Sequence, residues 1–305
     1  MENAIRNRQV ALAAFIDIEG AFDNTGFESI RAAAQRRQIE SETVEWILAM
    51  LRCRIVTAQL RQDQITIKTT RGCPQGGVLS PLLWSLVIDE LLTELTDQGY
   101  EVIGFADDLV IMVRGYVDSI LSNRLQSALN HAMKWCKDAN LSINPMKTVV
   151  IPFTRRRKLS LTEPRMGEVT IKFSEDIKYL GVTLDSKLLW NSHIKRTKEK
   201  AVKALMACRS VVGQRWGLKP AMMRWIYLMV VRPMVNYASF VWWRKSREAT
   251  TFAILQKIQR LACLLTTGAM KSAPTVALEA MLDLPPLPDV VIKEAAQTAI
   301  RMLYD

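Results

Sequence analysis

Two adjacent aspartates, Asp107 and Asp108, stand in the run YEVIGFADDLVIMV, with apolar residues on both sides. A buried charge costs several kcal/mol unless something compensates it, and like charges side by side cost more. Either the pair occupies an exposed β-turn, where aspartate is at home, or a cation sits beside it. A third carboxylate bears on the choice. VALAAFID (10–17) reads as a buried strand ending at Asp17, and adjacent strands of one sheet would bring Asp17, Asp107 and Asp108 to a common edge. Hard divalent ions with oxygen ligands suit such a cluster, and Mg²⁺ shares its shell readily with substrate phosphates. Two such ions about 3.5–4 Å apart lower the barrier to in-line phosphoryl transfer.

The elements that must position these groups can be read around them. Helical segments are expected from about Thr25 to Ile39 and from Ser41, a candidate N-cap, through Val44, Leu48, Leu51 and Ile55. A hairpin follows, IVTAQL (55–60) and ITIKTT (65–70), turning at RQDQ. RGCPQGGVLSP (71–81) is a glycine-rich loop whose backbone allows close approach of a ligand, and Gln75 adds an uncharged donor and acceptor. Ser80-Pro81 then reads as a helix start. The carboxylate pair fits the turn of a hairpin with strands 100–105 and 109–113, followed by a long helix over about 117–139 and a strand at 147–153. Short strands are expected at 169–173 and 177–184. The rest reads as helices at 193–216, 220–230, 247–266, 274–282 and 288–303, with a domain boundary near 186.

Charge divides the chain. Residues 1–150 hold 15 Lys and Arg against 18 Asp and Glu, a net of −3, whereas residues 151–305 hold 26 against 12, a net of +14. A near-neutral half joined to a strongly basic one suggests an anionic polymer held by the second half, although a solvated basic surface gives the same count. In the segment 193–216, Lys195, Arg196, Lys198, Lys200 and Lys203 alternate with an apolar stripe, so one face could pack while the other tracks phosphates. Five scattered cysteines without a CxxC, and only two histidines, offer no recognisable zinc spacing and point to a reduced, intracellular protein. No signal peptide is evident. The most membrane-like run, 222–243, contains Arg224, Arg232 and Pro233, so a packed core helix broken at Pro233 is expected instead. Trp242 and Trp243 are assigned to that core, and Cys73 to packing rather than chemistry.

IDIEGAFD (16–23), RGCPQGGVLSP (71–81), FADDLVIM (105–112), LSINPMKT (141–148) and KYLGVTLD (178–185) occur in the order of the successive motifs of reverse transcriptases. The set resembles the polymerases of non-LTR, LINE-like retrotransposons, particularly the Jockey group, and covers about residues 10–186. The resemblance implies an α+β right-hand polymerase. Its palm, with the remnant of the fingers, would be a ferredoxin-like antiparallel sheet backed by helices over 1–186, and its helical thumb and C-terminal region would span 187–305. It implies RNA-directed DNA synthesis by two Mg²⁺ ions, with Mn²⁺ as a substitute, from an RNA template, a DNA primer 3′-OH and dNTPs. It calls for no membrane or protein partner, and for action in the nucleus.

By the same resemblance Asp17 and Asp107 hold both metals, Asp108 assists, and the backbone carbonyl of Ile18 adds a ligand. Phe22 lies under the incoming sugar as a gate against the 2′-hydroxyl, Gln75 and Gly76 lie against nucleotide and template, and Lys147 serves the leaving pyrophosphate. Tyr179, Leu180 and Gly181 form the primer grip, and Lys195 to Lys203 bind the duplex. Asp23 is expected to cap the next helix. Little of the fingers precedes Asp17, so the chain reads as a piece of a longer polyprotein or a decayed copy that binds primer–template but extends it poorly. The alternatives are a silent remnant that only binds RNA or RNA–DNA hybrid, and a group II intron-like or telomerase-like enzyme.

Overall fold

The computed structural model of the chain describes residues 1–60, 63–209 and 217–304. It divides into two units, Met1–Glu175 and Asp176–Asp305.

The first unit begins with a short helix α1 (Glu2–Arg6) and the strand β1 (Val10–Asp17). An unexpected short helix α2 (Ala21–Asn24) follows, then α3 (Phe27–Arg36), within the helix expected over about 25–39, and α4 (Ser41–Arg52). Gly26 in extended conformation separates α2 from α3. A ribbon comes next, β2 (Ile55–Leu60) and β3 (Asp63–Lys68), whose expected turn residues Arg61 and Gln62 lie outside the described residues. Ile55 thus opens a strand rather than closing α4. Val56, Ala58 and Leu60 oppose Ile67, Ile65 and Asp63 on one face of the ribbon. That apolar face is uncovered, with Leu60 77% exposed.

Helix α5 (Ser80–Asp97), the hairpin β4 (Glu101–Phe105) and β5 (Asp108–Gly115), helix α6 (Asp118–Asp138) and β6 (Val149–Phe153) complete a β-α-β-β-α-β path. Their sheet has the order β4-β5-β1-β6, antiparallel throughout, which is the ferredoxin-like arrangement. Alternate residues of β1 (Val10, Leu12, Ala14, Ile16) join one core with Ile30, Leu83, Leu91, Leu125 and Leu129 of the helices. Burying this set removes the apolar stripes of α3, α5 and α6 from water, at roughly 1.5–3 kcal/mol per large side chain. Of the strand expected at 169–173 only β8 (Val169–Thr170) forms, and it pairs with β7 (Arg165–Met166), which was not expected.

The second unit opens with the hairpin β9 (Asp176–Tyr179) and β10 (Val182–Asp185) and the helix α7 (Asn191–Arg209). The sequence-based boundary lay about ten residues later, near 186. The hairpin goes with the helices because it bonds to them: Thr183 donates its backbone N–H to His193, and the Arg196 guanidinium reaches Thr183 and Asp176. Residues 210–216, which the periodicity assigned to the same helix as α7, lie outside the described residues.

Helix α8 (Pro220–Ile226) runs through a π-turn (Tyr227–Val231) into α9 (Arg232–Asn236). The break expected at Pro233 is therefore absent. The wider turn ahead of the proline relieves the clash and the lost N–H, and the helical path ends instead at Tyr237. Helices α10 (Ser239–Trp242), α11 (Ala249–Thr267), α12 (Thr275–Met281) and α13 (Leu287–Tyr304) follow. Leu205, Tyr227, Val231, Trp242, Leu255 and Val291 form the core. Trp242 is fully buried, as expected, but Trp243 is only half-buried and carries Arg244 and Arg247 over its ring. Among the described residues no helix is long and apolar enough to cross a membrane.

Candidate active site

The three carboxylates reach one edge of the sheet by strand register. Asp17, the last residue of β1, lies directly opposite Asp108, the first of β5. Asp107 occupies the two-residue turn before it, and its carbonyl accepts from the Ile18 N–H at 3.5 Å. The other turn residue, Ala106, adopts φ +53, a conformation that costs an alanine about 1–2 kcal/mol. Buried Trp84 of α5 donates its indole N–H to the Ala106 carbonyl at 2.5 Å and so holds the turn in place. Burial first, then the charges of Asp107 and Asp17, raise the Asp108 pKa above the usual carboxylate range.

Lys147 arrives at the same edge. Its ammonium lies 3.0 Å from Asp17 Oδ2, and that hydrogen bond is the main reason its pKa is raised. The segment 142–148 is bound tightly to the end of β1. Ser142 and Asn144 donate to the Glu19 carboxylate at 3.0 and 2.8 Å, and the Asn144 N–H donates to the Asp17 carbonyl. The Asn144 side-chain oxygen then accepts from the N–H groups of Met146 and Lys147, turning the chain so that Lys147 faces Asp17. Glu19 and Asn144 were missed from sequence. Asn144-Pro145 was the available signal, a dipeptide that starts turns.

The glycine-rich loop is bound to α2. Gly72 and Cys73 donate their N–H groups to the carbonyls of Thr25 and Phe22 at 2.8 and 2.7 Å. Gly72 has φ +85, and a Cβ there would lie 2.4 Å from the Asp23 carbonyl oxygen. Ser80, at the first turn of α5, closes the loop by donating to the Pro74 carbonyl at 2.6 Å. Gln75 donates from Nε2 to Asp23 Oδ2 at 2.9 Å. Asp23 therefore does not cap the next helix as expected. It sits inside α2 and orients the Gln75 amide, leaving Gly76 exposed beside it. Phe22 is half-buried against Trp84, ring centroids 6.3 Å apart, and is neither a wholly buried core residue nor a free ring. Buried Cys73 has its thiol pKa raised by desolvation, consistent with packing.

The donor chemistry suits a hard cation. Asp108 is pushed toward its neutral form by burial and neighbouring carboxylates, a cost that bound positive charge would remove. Among the described residues no three such side chains already stand as a ligand cluster, and the cation beside Asp17 is the Lys147 ammonium.

In the second unit, Tyr179 and Val182 pair across a two-residue turn in which Leu180 and Gly181 have φ +45 and +81. Tyr237 donates its hydroxyl to the Leu180 carbonyl at 2.9 Å, holding the turn that the sequence predicted to be sharp. On α7, Lys195, Lys198, Lys200 and Lys203 are exposed. Arg196 differs, because its guanidinium is bound to Thr183 and Asp176 within the unit.

Residues 1–184 match the family described as reverse transcriptase (RNA-dependent DNA polymerase). The chain belongs to the reverse transcriptase family. Its relatives agree with the LINE-like resemblance of the motifs. The chain is 25% identical over 280 residues to the putative 115 kDa protein in type-1 retrotransposable element R1DM of Drosophila melanogaster, covering 92% of this chain and 27% of that protein. It is 27% identical over 219 residues to the RNA-directed DNA polymerase from mobile element jockey of the same fly, covering 68% and 24%. The chain thus spans about a quarter of the length of these relatives. Among solved structures, telomerase from Candida tropicalis in complex with a fragment of telomeric RNA aligns over 99% of this chain and 51% of its own, with 10% identity and a TM-score of 0.46.

Proposed function

We propose that this chain carries the nucleotidyl-transfer site of an RNA-directed DNA polymerase from a LINE-like element. The reaction joins a dNTP to the 3′-OH of a DNA primer on an RNA template. The observation that carries this reading is the register that sets Asp17 against Asp108 with Asp107 in the adjoining turn. In this reading Asp17, Asp107 and Asp108, with the Ile18 carbonyl, would hold divalent ions, two Mg²⁺ or Mn²⁺. Bound there, the ions supply charge for the attacking and leaving oxygens.

The chain's own residues supply position. Phe22, braced by Trp84, would serve as the gate against a ribose 2′-hydroxyl. Gln75, held by Asp23, presents its free amide oxygen beside the glycine loop. Lys147 keeps its proton because Asp17 stabilises the ammonium, so it brings positive charge to a departing pyrophosphate. The exposed lysines of α7 offer phosphate contacts without sequence reading. Copying into a genomic target would place the working protein in the nucleus.

Primer extension with an RNA template, dNTPs and Mg²⁺ tests the proposal. Extension by this chain should be weak, and what there is should disappear in Asp107→Asn and on chelation of the metal. Binding of primer–template with no extension under any divalent ion would favour the silent remnant instead.

A further inference from the structure

The sheet has a second pole, at the end away from the carboxylates. β1 begins there at Val10, opposite Gly115 at the end of β5, and Ala11 lies opposite Phe153 at the end of β6. Asp17 is at the other end of β1, roughly 20–25 Å away at the rise of a strand. The chain leaves β6 through Thr154 and the basic run RRRK (155–158).

This loop is built rather than loose. The Arg156 guanidinium turns back onto the fold, donating to the Tyr116 carbonyl at 3.1 Å and to Asp118 Oδ1 at 2.8 Å. Asp118 Oδ2 accepts the Ser160 N–H at 2.7 Å. The Thr154 hydroxyl accepts the Arg156 N–H at 3.2 Å and donates to the Gln9 carbonyl at 3.4 Å, tying the loop to the segment before β1. Arg155, Arg157 and Lys158 stay exposed beside it, as does Arg8, and none of them has an ion-pair partner among the described residues. The carboxylates of this pole are already engaged: Asp118 by Arg156, Glu101 by Arg114 and Glu2 by Arg6. Tyr116, whose carbonyl Arg156 holds, is 62% exposed at the same pole.

We propose that this pole binds an unpaired nucleic-acid strand, with Arg8, Arg155, Arg157 and Lys158 on its phosphates and the Tyr116 ring stacked on a base. The ligand class follows from the pairing of the two features. Unneutralised cations on a fixed loop suit a phosphate chain, and an exposed aromatic face suits a base that has left its stack, which a duplex does not offer. The surface belongs to the first unit, whereas the lysines of α7 belong to the second, and it does not depend on the polymerase reading.

The test uses the full chain with Lys195, Lys198, Lys200 and Lys203 already replaced by alanine, so that α7 does not mask the result. Fluorescence anisotropy would follow labelled, unstructured RNA and DNA oligonucleotides and a duplex of the same length. Arg155→Gln, Arg157→Gln and Lys158→Gln together should lower single-strand affinity about tenfold and reduce the salt slope by about 0.7 for each phosphate released. Tyr116→Ala should lower single-strand affinity about tenfold while leaving the salt slope and the duplex affinity unchanged, and it serves alone if the triple variant does not fold. Loss with RNA only would make the ligand a template-like strand and loss with DNA only a displaced strand; either supports the site, as does loss with both. Equal loss on duplex and single strand in Tyr116→Ala would overturn the unpaired-strand assignment. Undiminished single-strand affinity in both variants would overturn the site.

Discussion

At the scale of single residues, the proposed chemistry rests on a few side chains held by partners far away in sequence. The three carboxylates were legible because an apolar run ending in aspartate, and another interrupted by two, mark strand ends at one edge. Asp23 was misread because its helical neighbourhood suggests a cap, while its partner Gln75 lies on another loop. Asp23→Ala should leave the fold intact and raise the KM for dNTP by roughly 5–10-fold with a smaller fall in kcat, since it frees the Gln75 amide to rotate. Steady-state kinetics on primer extension check this, and an equal loss in kcat would assign Asp23 to the chemical step. Phe22 has its own test. Phe22→Val should admit ribonucleotides while leaving metal-dependent dNTP incorporation in place. An unchanged preference for dNTP over rNTP would mean that the ring braces Trp84 and the gate lies elsewhere.

Elements fix how much strain and burial these groups tolerate. The glycine-rich loop was legible as special-angle backbone, but not the contact with Asp23 that makes Gly72 irreplaceable. Gly72→Ala should cost about 2–4 kcal/mol in the thermal unfolding of the first unit, because a backbone oxygen stands where the methyl must go. Most helices of the second unit were read within a few residues from their apolar spacing. The continuation through Pro233 was not, because a proline reads as a helix stop, whereas the π-turn at Tyr227–Val231 accommodates it.

The hairpin–α7 contact carries a pH signature. Burial and the nearby Lys200 charge lower the His193 pKa to about 4 in the fold against 6.5 when unfolded, so the unfolded chain binds the extra proton between those values. Stability should therefore be full above about pH 7, fall as pH drops through 6.5, and level off below 4. The total loss is about 3 kcal/mol at most. Denaturant titrations across pH should show this slope in the wild type and its absence in His193→Asn.

For the molecule as a whole, the sequence charge already separated a near-neutral half from a basic one. It could not show which cations are engaged within the fold. Arg196 is bound to Thr183 and Asp176, whereas Lys195, Lys198, Lys200 and Lys203 are exposed. Alanine at all four lysines should weaken duplex binding and lower the slope of log affinity against log salt by roughly 0.9 for each phosphate that is no longer neutralised. Arg196→Ala should instead loosen the β9–β10 hairpin with less effect on that slope. A slope unchanged by the four-lysine variant would make α7 an ordinary solvated helix.

The uncovered ribbon β2–β3 has a practical consequence for anyone handling this protein. Its outer strands keep unpaired backbone groups, and its apolar face, with Val56, Leu60, Ile65 and Ile67 exposed, gives a second copy something to stack on. Such an edge is a template for self-association, and two strands alone resist it poorly. Concentrated solutions should scatter light well before the rest of the molecule unfolds. A charge placed in the middle of that face, as in Ile67→Lys, should delay the turbidity without altering the thermal transition.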